Sequence, residues 1–103
     1  MGEIPGYVHI HTADGRRRRW RLVWLPKGHP LLDGACGRIE RPDTKGKRIF
    51  IQMGQSPDLL FDTIVHEVAH GAGWNLAEDW VSDFATDITR IMKKLGYKFK
   101  EVK

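Results

Sequence analysis

The segment Asp62-Thr-Ile-Val-His-Glu-Val-Ala-His-Gly-Ala-Gly73 sets two histidines, His66 and His70, four residues apart. A helix turns once every ~3.6 residues, so in a helix the two imidazoles stand one above the other on one face and can grip a single metal ion. Glu67 points about 100° away around the axis. From there it can reach a water on the ion's open side, as a general base must. Ile64, Val65 and Val68 form an apolar set at helical spacing, which gives the segment one buried side. Ser56 is the expected N-cap, Pro57 the first helical residue and Asp58 an early acid suited to the positive end of the helix dipole. Gly71 and Gly73 are expected to stop the helix. The competing reading is a surface helix whose His and Glu are merely solvated.

Upstream, the pattern changes from helical to alternating. Tyr7-Val-His-Ile-His11 ends in Ala-Asp14-Gly15, a tight-turn dipeptide, and a return strand from about Arg18 to Trp24 puts Trp20, Leu22 and Trp24 on one face. His9 and His11 share a face of the first strand, with no third ligand evident nearby. Pro26 to Gly34 is punctuated by Pro and Gly and reads as a loop. Gly37 to Glu40 and Arg48 to Met53 read as a second hairpin, with Ile49 and Ile51 facing the core and Phe50 and Gln52 the other side. About four antiparallel strands therefore precede the motif. After it, Leu76 to Leu95 reads as one long helix closed by Gly96, with Ala77, Val81, Phe84, Ile88, Ile91 and Leu95 as its core stripe. The tail from Tyr97 reads as a final strand or a loose end.

At 103 residues the chain is one small domain, spanning 1–103. No run approaches the ~20 apolar residues needed to cross a bilayer. The first residues lack the basic segment and apolar stretch of a secretory signal. A lone Cys36 excludes an internal disulfide, and the expected setting is the reducing cytoplasm. Cys36 itself reads as a small packing residue, with metal ligand or nucleophile as alternatives. The net charge of +4 is uneven: residues 1–53 hold eleven Lys/Arg and five Asp/Glu, net +6, while residues 54–103 hold six and eight, net −2. The run Arg16-Arg17-Arg18-Arg19, with Arg21, reads either as a charged hairpin edge protected from aggregation or as a contact for nucleic acid or an acidic partner.

A catalytic zinc usually has three protein ligands and one water, so two histidines do not complete a site. The next helix offers Glu78, Asp79, Asp83 and Asp87. Glu78 lies one turn before Val81, beside the apolar stripe, and is preferred as third ligand over Asp79, whose flank carries Asp83, Thr86 and Arg90. Asp62 shares a face with His66 and either holds its outer nitrogen or is a first-turn acid. As stabiliser of the oxyanion formed in hydrolysis, Tyr97 and His29 are candidates by residue type alone.

With these residues in place, the chain resembles a minimal zincin of the gluzincin type. Residues from about 37 to 97 are similar to small proteins of phages and prophages that are inferred to be zinc metallopeptidases. The resemblance rests on the strand Arg48-Ile-Phe-Ile51, the motif helix, Trp74-Asn-Leu-Ala-Glu-Asp-Trp-Val81 and Leu95-Gly-Tyr97. It implies an α+β fold, a small antiparallel sheet followed by the motif helix and a long C-terminal helix. It also implies Zn²⁺ held by His66, His70 and Glu78, Glu67 as catalytic base, a peptide or protein substrate, and host cytoplasm if phage-encoded. Where that family carries a second acid, this chain has the shorter Asp79. A monomer without membrane contact is expected, with the strand Arg48 to Met53 as the sheet edge that receives an extended peptide. The alternative is a zinc-stabilised binding module without catalysis, contacting nucleic acid or an acidic partner through Arg16 to Arg21.

Overall fold

Alternation along the strands sorts the side chains into two faces, and the computed structural model, which describes residues 6–99, shows where each face goes. The strands are β1 (Tyr7–His11), β2 (Arg17–Leu25), β3 (Gly37–Ile39) and β4 (Arg48–Gln52), followed by helices α1 (Pro57–Ala72) and α2 (Glu78–Lys94). Gly15, with φ of 83°, supplies the left-handed residue of the β1–β2 turn. Ile10, Trp20, Ile39, Ile49 and Ile51 face α1 and are buried with Leu60. Each such apolar side chain contributes roughly 1.5–3 kcal/mol by leaving water. Trp20 also donates its indole N–H to the carbonyl of Glu40, 3.0 Å away, so its polar atom is not orphaned.

The chain is α+β, as the sequence implied: one four-stranded sheet, then two helices, the second long. The sheet itself is mixed rather than antiparallel throughout. Its order is β1-β2-β4-β3, and the two antiparallel pairs join through a parallel β2–β4 pairing with Arg21 opposite Arg48 and Leu25 opposite Gln52. β4 is therefore interior and cannot be the receiving edge expected of residues 48–53; β3 is the edge on that side. An all-apolar Ile-Phe-Ile run agrees with this, because an interior strand can be covered on both faces. Phe50 is indeed buried on the far face with Leu25 and Leu32, under a 3-10 turn at Pro30–Leu32 within the expected loop.

Beyond that cluster the far face is open and basic. Arg17, Arg19 and Arg21 project from it opposite His11, His9 and Tyr7, and all six side chains are exposed. Arg18 alternates inward, where its guanidinium bonds Asp14 at 2.7 Å and the carbonyl of Pro42 at 3.2 Å. The basic run is thus half platform and half structural clamp.

α1 packs on β3 and β1, and α2 packs on α1. Ser56 caps α1 through its hydroxyl, which accepts the N–H of Leu59, and Pro57 opens the helix. Gly71 does not end it. It is buried within the last turn, where an added Cβ would stand 2.7 Å from Ile39 Cδ1 and 3.3 Å from Ile10 Cδ1. Its role is close helix–sheet approach, and the C-cap is Gly73. In α2, Val81, Ala85 and Thr89 are the buried residues. Of the expected stripe, Ala77, Phe84, Ile91 and Leu95 are exposed instead. Residues 97–99 form no strand, and the rest of the tail, like the first five residues, lies outside the described residues. Among the described residues no helix is long and apolar enough to cross a membrane.

Candidate metal centre

The short Gly73–Ala77 connection returns the chain so that the start of α2 faces the last two turns of α1. His66 and His70 stack along α1 as their spacing requires, with ring centroids 4.8 Å apart and the rings nearly edge to face. Their Nε2 atoms lie 3.1 Å from each other. Glu78, the first residue of α2, sets one carboxylate oxygen 3.0 Å from His66 Nε2 and the other 2.6 Å from His70 Nε2. One ligand atom from each of the three residues thus falls within 4.8 Å of the others. The histidine side chains are mostly buried and the glutamate is open to solvent.

Three lone-pair-bearing atoms pointed at one place repel each other unless a proton or a cation lies between them. A protonated histidine paired with Glu78 would satisfy part of the set. A tetrahedral ion with bonds of ~2.05 Å to each donor would satisfy all of it, holding the donors about 3.3 Å apart. The two imidazole nitrogens lie 3.1 Å apart, near that spacing, and each faces a different oxygen of the Glu78 carboxylate, at 3.0 and 2.6 Å. Two imidazoles and one carboxylate are also the donor types that suit Zn²⁺. The donor set therefore fits the ion that the sequence implied.

Glu67 occupies the position the motif assigns it. It is 8 % exposed and lines the same cleft of about 540 Å³ as His66, His70 and Glu78. Burial raises its carboxyl pKa to about 7, and the negative charge of Glu78 adds to the rise. Space for that carboxylate is provided by Gly37, where a Cβ would stand 2.7 Å from Thr63 Cγ2, 3.1 Å from Glu67 Cγ and 3.4 Å from Glu67 Oε2. Thr63 is pinned in turn: its hydroxyl donates to Gln55 Oε1 at 2.8 Å, and the Gln55 amide donates to the carbonyls of Gln52 and Cys36. Nothing in the local sequence around Gly37 singled it out, because the contact crosses from strand to helix.

The opposite wall of the cleft is β3. The Gln52 N–H donates to the Cys36 carbonyl and the Glu40 N–H to the Arg48 carbonyl, with Arg38 opposite Phe50 between them. Antiparallel alternation then turns the N–H and C=O groups of Gly37 and Ile39 away from β4, toward the open side. Free backbone donors and acceptors thus run alongside the histidines.

The remaining candidates fall elsewhere. Asp79 is exposed and outside the converging group. Asp62 lines the cleft and accepts the Thr86 hydroxyl at 3.3 Å, which ties α1 to α2. Cys36 lines the cleft and is not one of the converging donors. His29 caps the 3-10 turn, its Nδ1 accepting the N–H of Leu31 at 3.1 Å, and does not line the cleft. Tyr97 lies past the far end of α2 and is exposed. His9 and His11 point from the exposed far face of the sheet and belong to no group of three metal-ligating side chains among the described residues. Comparison of the chain with protein-family profiles, curated proteins and solved structures returned no match.

Proposed function

We propose that this chain is a zinc-dependent peptide hydrolase, with His66, His70 and Glu78 holding the ion and Glu67 acting as general base. The observation that carries the reading is the convergence of both histidine Nε2 atoms with the Glu78 carboxylate, beside a buried glutamate in one cleft. Bound zinc supplies the positive charge that lowers the pKa of water from ~15.7 toward ~7. Glu67, buried in the same cleft, would take the attacking water's proton and deliver it to the leaving amine. The open side of β3 accepts an extended peptide as a further strand, with the backbone groups of Gly37 and Ile39 aligning the scissile bond beside the histidines. Only three donors converge among the described residues. An ion held by these three side chains alone would keep a coordination position for water or substrate, which favours catalysis over a purely structural ion. The lone Cys36 agrees with a reducing cytoplasmic setting.

The test is Glu67→Gln. Zinc content stays near that of wild type while hydrolysis of an unstructured protein substrate such as casein is lost. A wild-type chain that holds no stoichiometric zinc at neutral pH overturns the reading.

A second reading has its own observation. Arg17, Arg19 and Arg21 stand at alternate positions of β2, ~6.7 Å apart, beside the exposed Tyr7 ring, over which Arg19 lies at 4.5 Å. Cations interleaved with an aromatic suit the phosphates and bases of a single strand of nucleic acid. Binding that weakens steeply with salt, and no longer does so in the triple Arg→Gln variant, supports this reading. It concerns the face of the sheet remote from the cleft, so both readings can hold together.

A further inference from the structure

α2 leaves a second apolar stripe uncovered. Trp80, Phe84, Ile91 and Leu95 are 52, 38, 51 and 68 % exposed, whereas Val81, Ala85 and Thr89 are the residues it buries. At 3.6 residues per turn the four exposed residues fall within about 60° of one another, roughly 110° around the helix from the buried three. Trp80 and Phe84 are stacked, with ring centroids 5.0 Å apart and planes within 8°, so this end of the stripe is a preformed aromatic slab. Phe84, Ile88, Ile91 and Leu95 advance in steps of four, three and four, the spacing that packs one helix against another. Within the described chain α1 packs on α2, and it takes the other side.

Charge along α2 identifies the occupant. Glu78, Asp79, Asp83 and Asp87 fill its first half, and Arg90, Lys93 and Lys94 its last turns. A parallel copy would set acid against acid and base against base. An antiparallel copy sets Asp83 and Asp87 of one chain near Arg90 and Lys94 of the other, with the helix dipoles also opposed. A two-fold axis between Asp87 and Ile88 places Trp80 of one copy against Leu95 of the other and Phe84 against Ile91. The stripe is then complementary to itself, as a closed two-fold dimer requires.

We infer that two copies of this chain associate through antiparallel α2 helices, burying Trp80, Phe84, Ile91 and Leu95 against one another. The pairing does not depend on the metal. A single helix-pair contact lies at the small end of specific interfaces, so the dimer dissociates on dilution. The test is sedimentation equilibrium of the full chain, with and without zinc, over concentrations of about 1–300 µM chosen to bracket a weak interface. The expected mass rises with concentration from 11.9 kDa toward twice that value. Phe84→Glu with Ile91→Glu remains at the monomer mass, with unchanged far-UV circular dichroism because both positions are exposed. Asp83→Lys/Asp87→Lys and Arg90→Glu/Lys94→Glu each lose self-association, and mixing the two restores it. A wild-type chain that stays monomeric across the range overturns the inference. So does a dimer that survives the Phe84→Glu/Ile91→Glu change, or charge variants that associate as wild type does.

Discussion

Replacing Gly37 with alanine is the sharpest probe of how the sheet supports Glu67. The new Cβ would stand 2.7 Å from Thr63 Cγ2 and 3.1 Å from Glu67 Cγ, and both must move. Thr63 cannot rotate freely, because its hydroxyl holds Gln55 at 2.8 Å and breaking that buried bond costs about 1–3 kcal/mol. Overpacking of this kind costs about 1–3 kcal/mol, and the conformational gain of alanine over glycine in a strand offsets ~0.5–1 kcal/mol. The net expectation is a loss of about 1–2 kcal/mol, or a melting temperature lower by roughly 4–15 °C for a domain of this size. Gly71→Ala is the control. There the atoms met are side-chain ends, Cδ1 of Ile39 at 2.7 Å and Cδ1 of Ile10 at 3.3 Å, and alanine gains ~1 kcal/mol of helix propensity, so the net loss is smaller than for Gly37→Ala. Thermal melts followed by circular dichroism give the comparison. In Gly37→Ala the three converging donors are untouched, so zinc content stays near wild type. Displacing the Glu67 carboxylate by a few tenths of an ångström to an ångström lowers hydrolysis about 10- to 100-fold. A Gly37→Ala protein that melts at or above wild type, or that hydrolyses at the wild-type rate, refutes the reasoning.

Other outcomes follow from the same geometry. Glu78→Ala should lose most of the bound zinc while Asp79→Ala keeps it, read by metal analysis after dialysis; equal losses would remove Glu78 from its assigned role. In chelator, the raised Glu67 pKa means that the folded state disfavours its ionised form, so metal-free stability falls as pH rises from ~4.5 to ~7. Glu67→Gln should remove that fall and stabilise the metal-free protein at pH 8 by an amount on the order of 3 kcal/mol, measured by urea unfolding. Glu40 is shifted in the opposite direction, its pKa lowered chiefly by the hydrogen bond from Arg48, whose guanidinium lies 2.8 and 3.1 Å from its oxygens. Its stabilisation is present above the ordinary carboxylate range and lost on acidification, so Glu40→Gln should flatten the melting curve's dependence on pH below ~4.5.

Features carried by local chemistry were legible in the sequence. The Ser56-Pro57 start of α1, the Asp14-Gly15 turn, the extent of β1 and the body of α2 all follow from caps, turn residues and periodicity, which act over a few positions. That Glu78 rather than Asp79 comes beside the two histidines was also accessible, since one turn of helix separates it from Val81. What was not legible depended on contacts between distant segments. The parallel β2–β4 pairing leaves no mark on either strand alone, so the sheet is mixed where an antiparallel one was expected, and residues 48–53 are interior where an edge was expected. Gly71 looks like a helix stop in one dimension and proves to be the point where α1 closes on Ile39 and Ile10. α2 carries one broad apolar arc, and periodicity alone does not say that α1 covers only the Val81-Ala85-Thr89 side.

The mixed sheet also fixes where the charge resides. Residues 6–56 carry eleven Lys/Arg against four Asp/Glu, and the helical segment 57–94 carries three against seven. Because the helices cover one face of the sheet only, the two excesses are separated along the stacking direction and the molecule has an electric moment roughly normal to its sheet. A negatively charged surface would act first on the Arg17-Arg19-Arg21 face, whereas the cleft lined by His66, His70 and Glu78 lies on the helix side of the sheet.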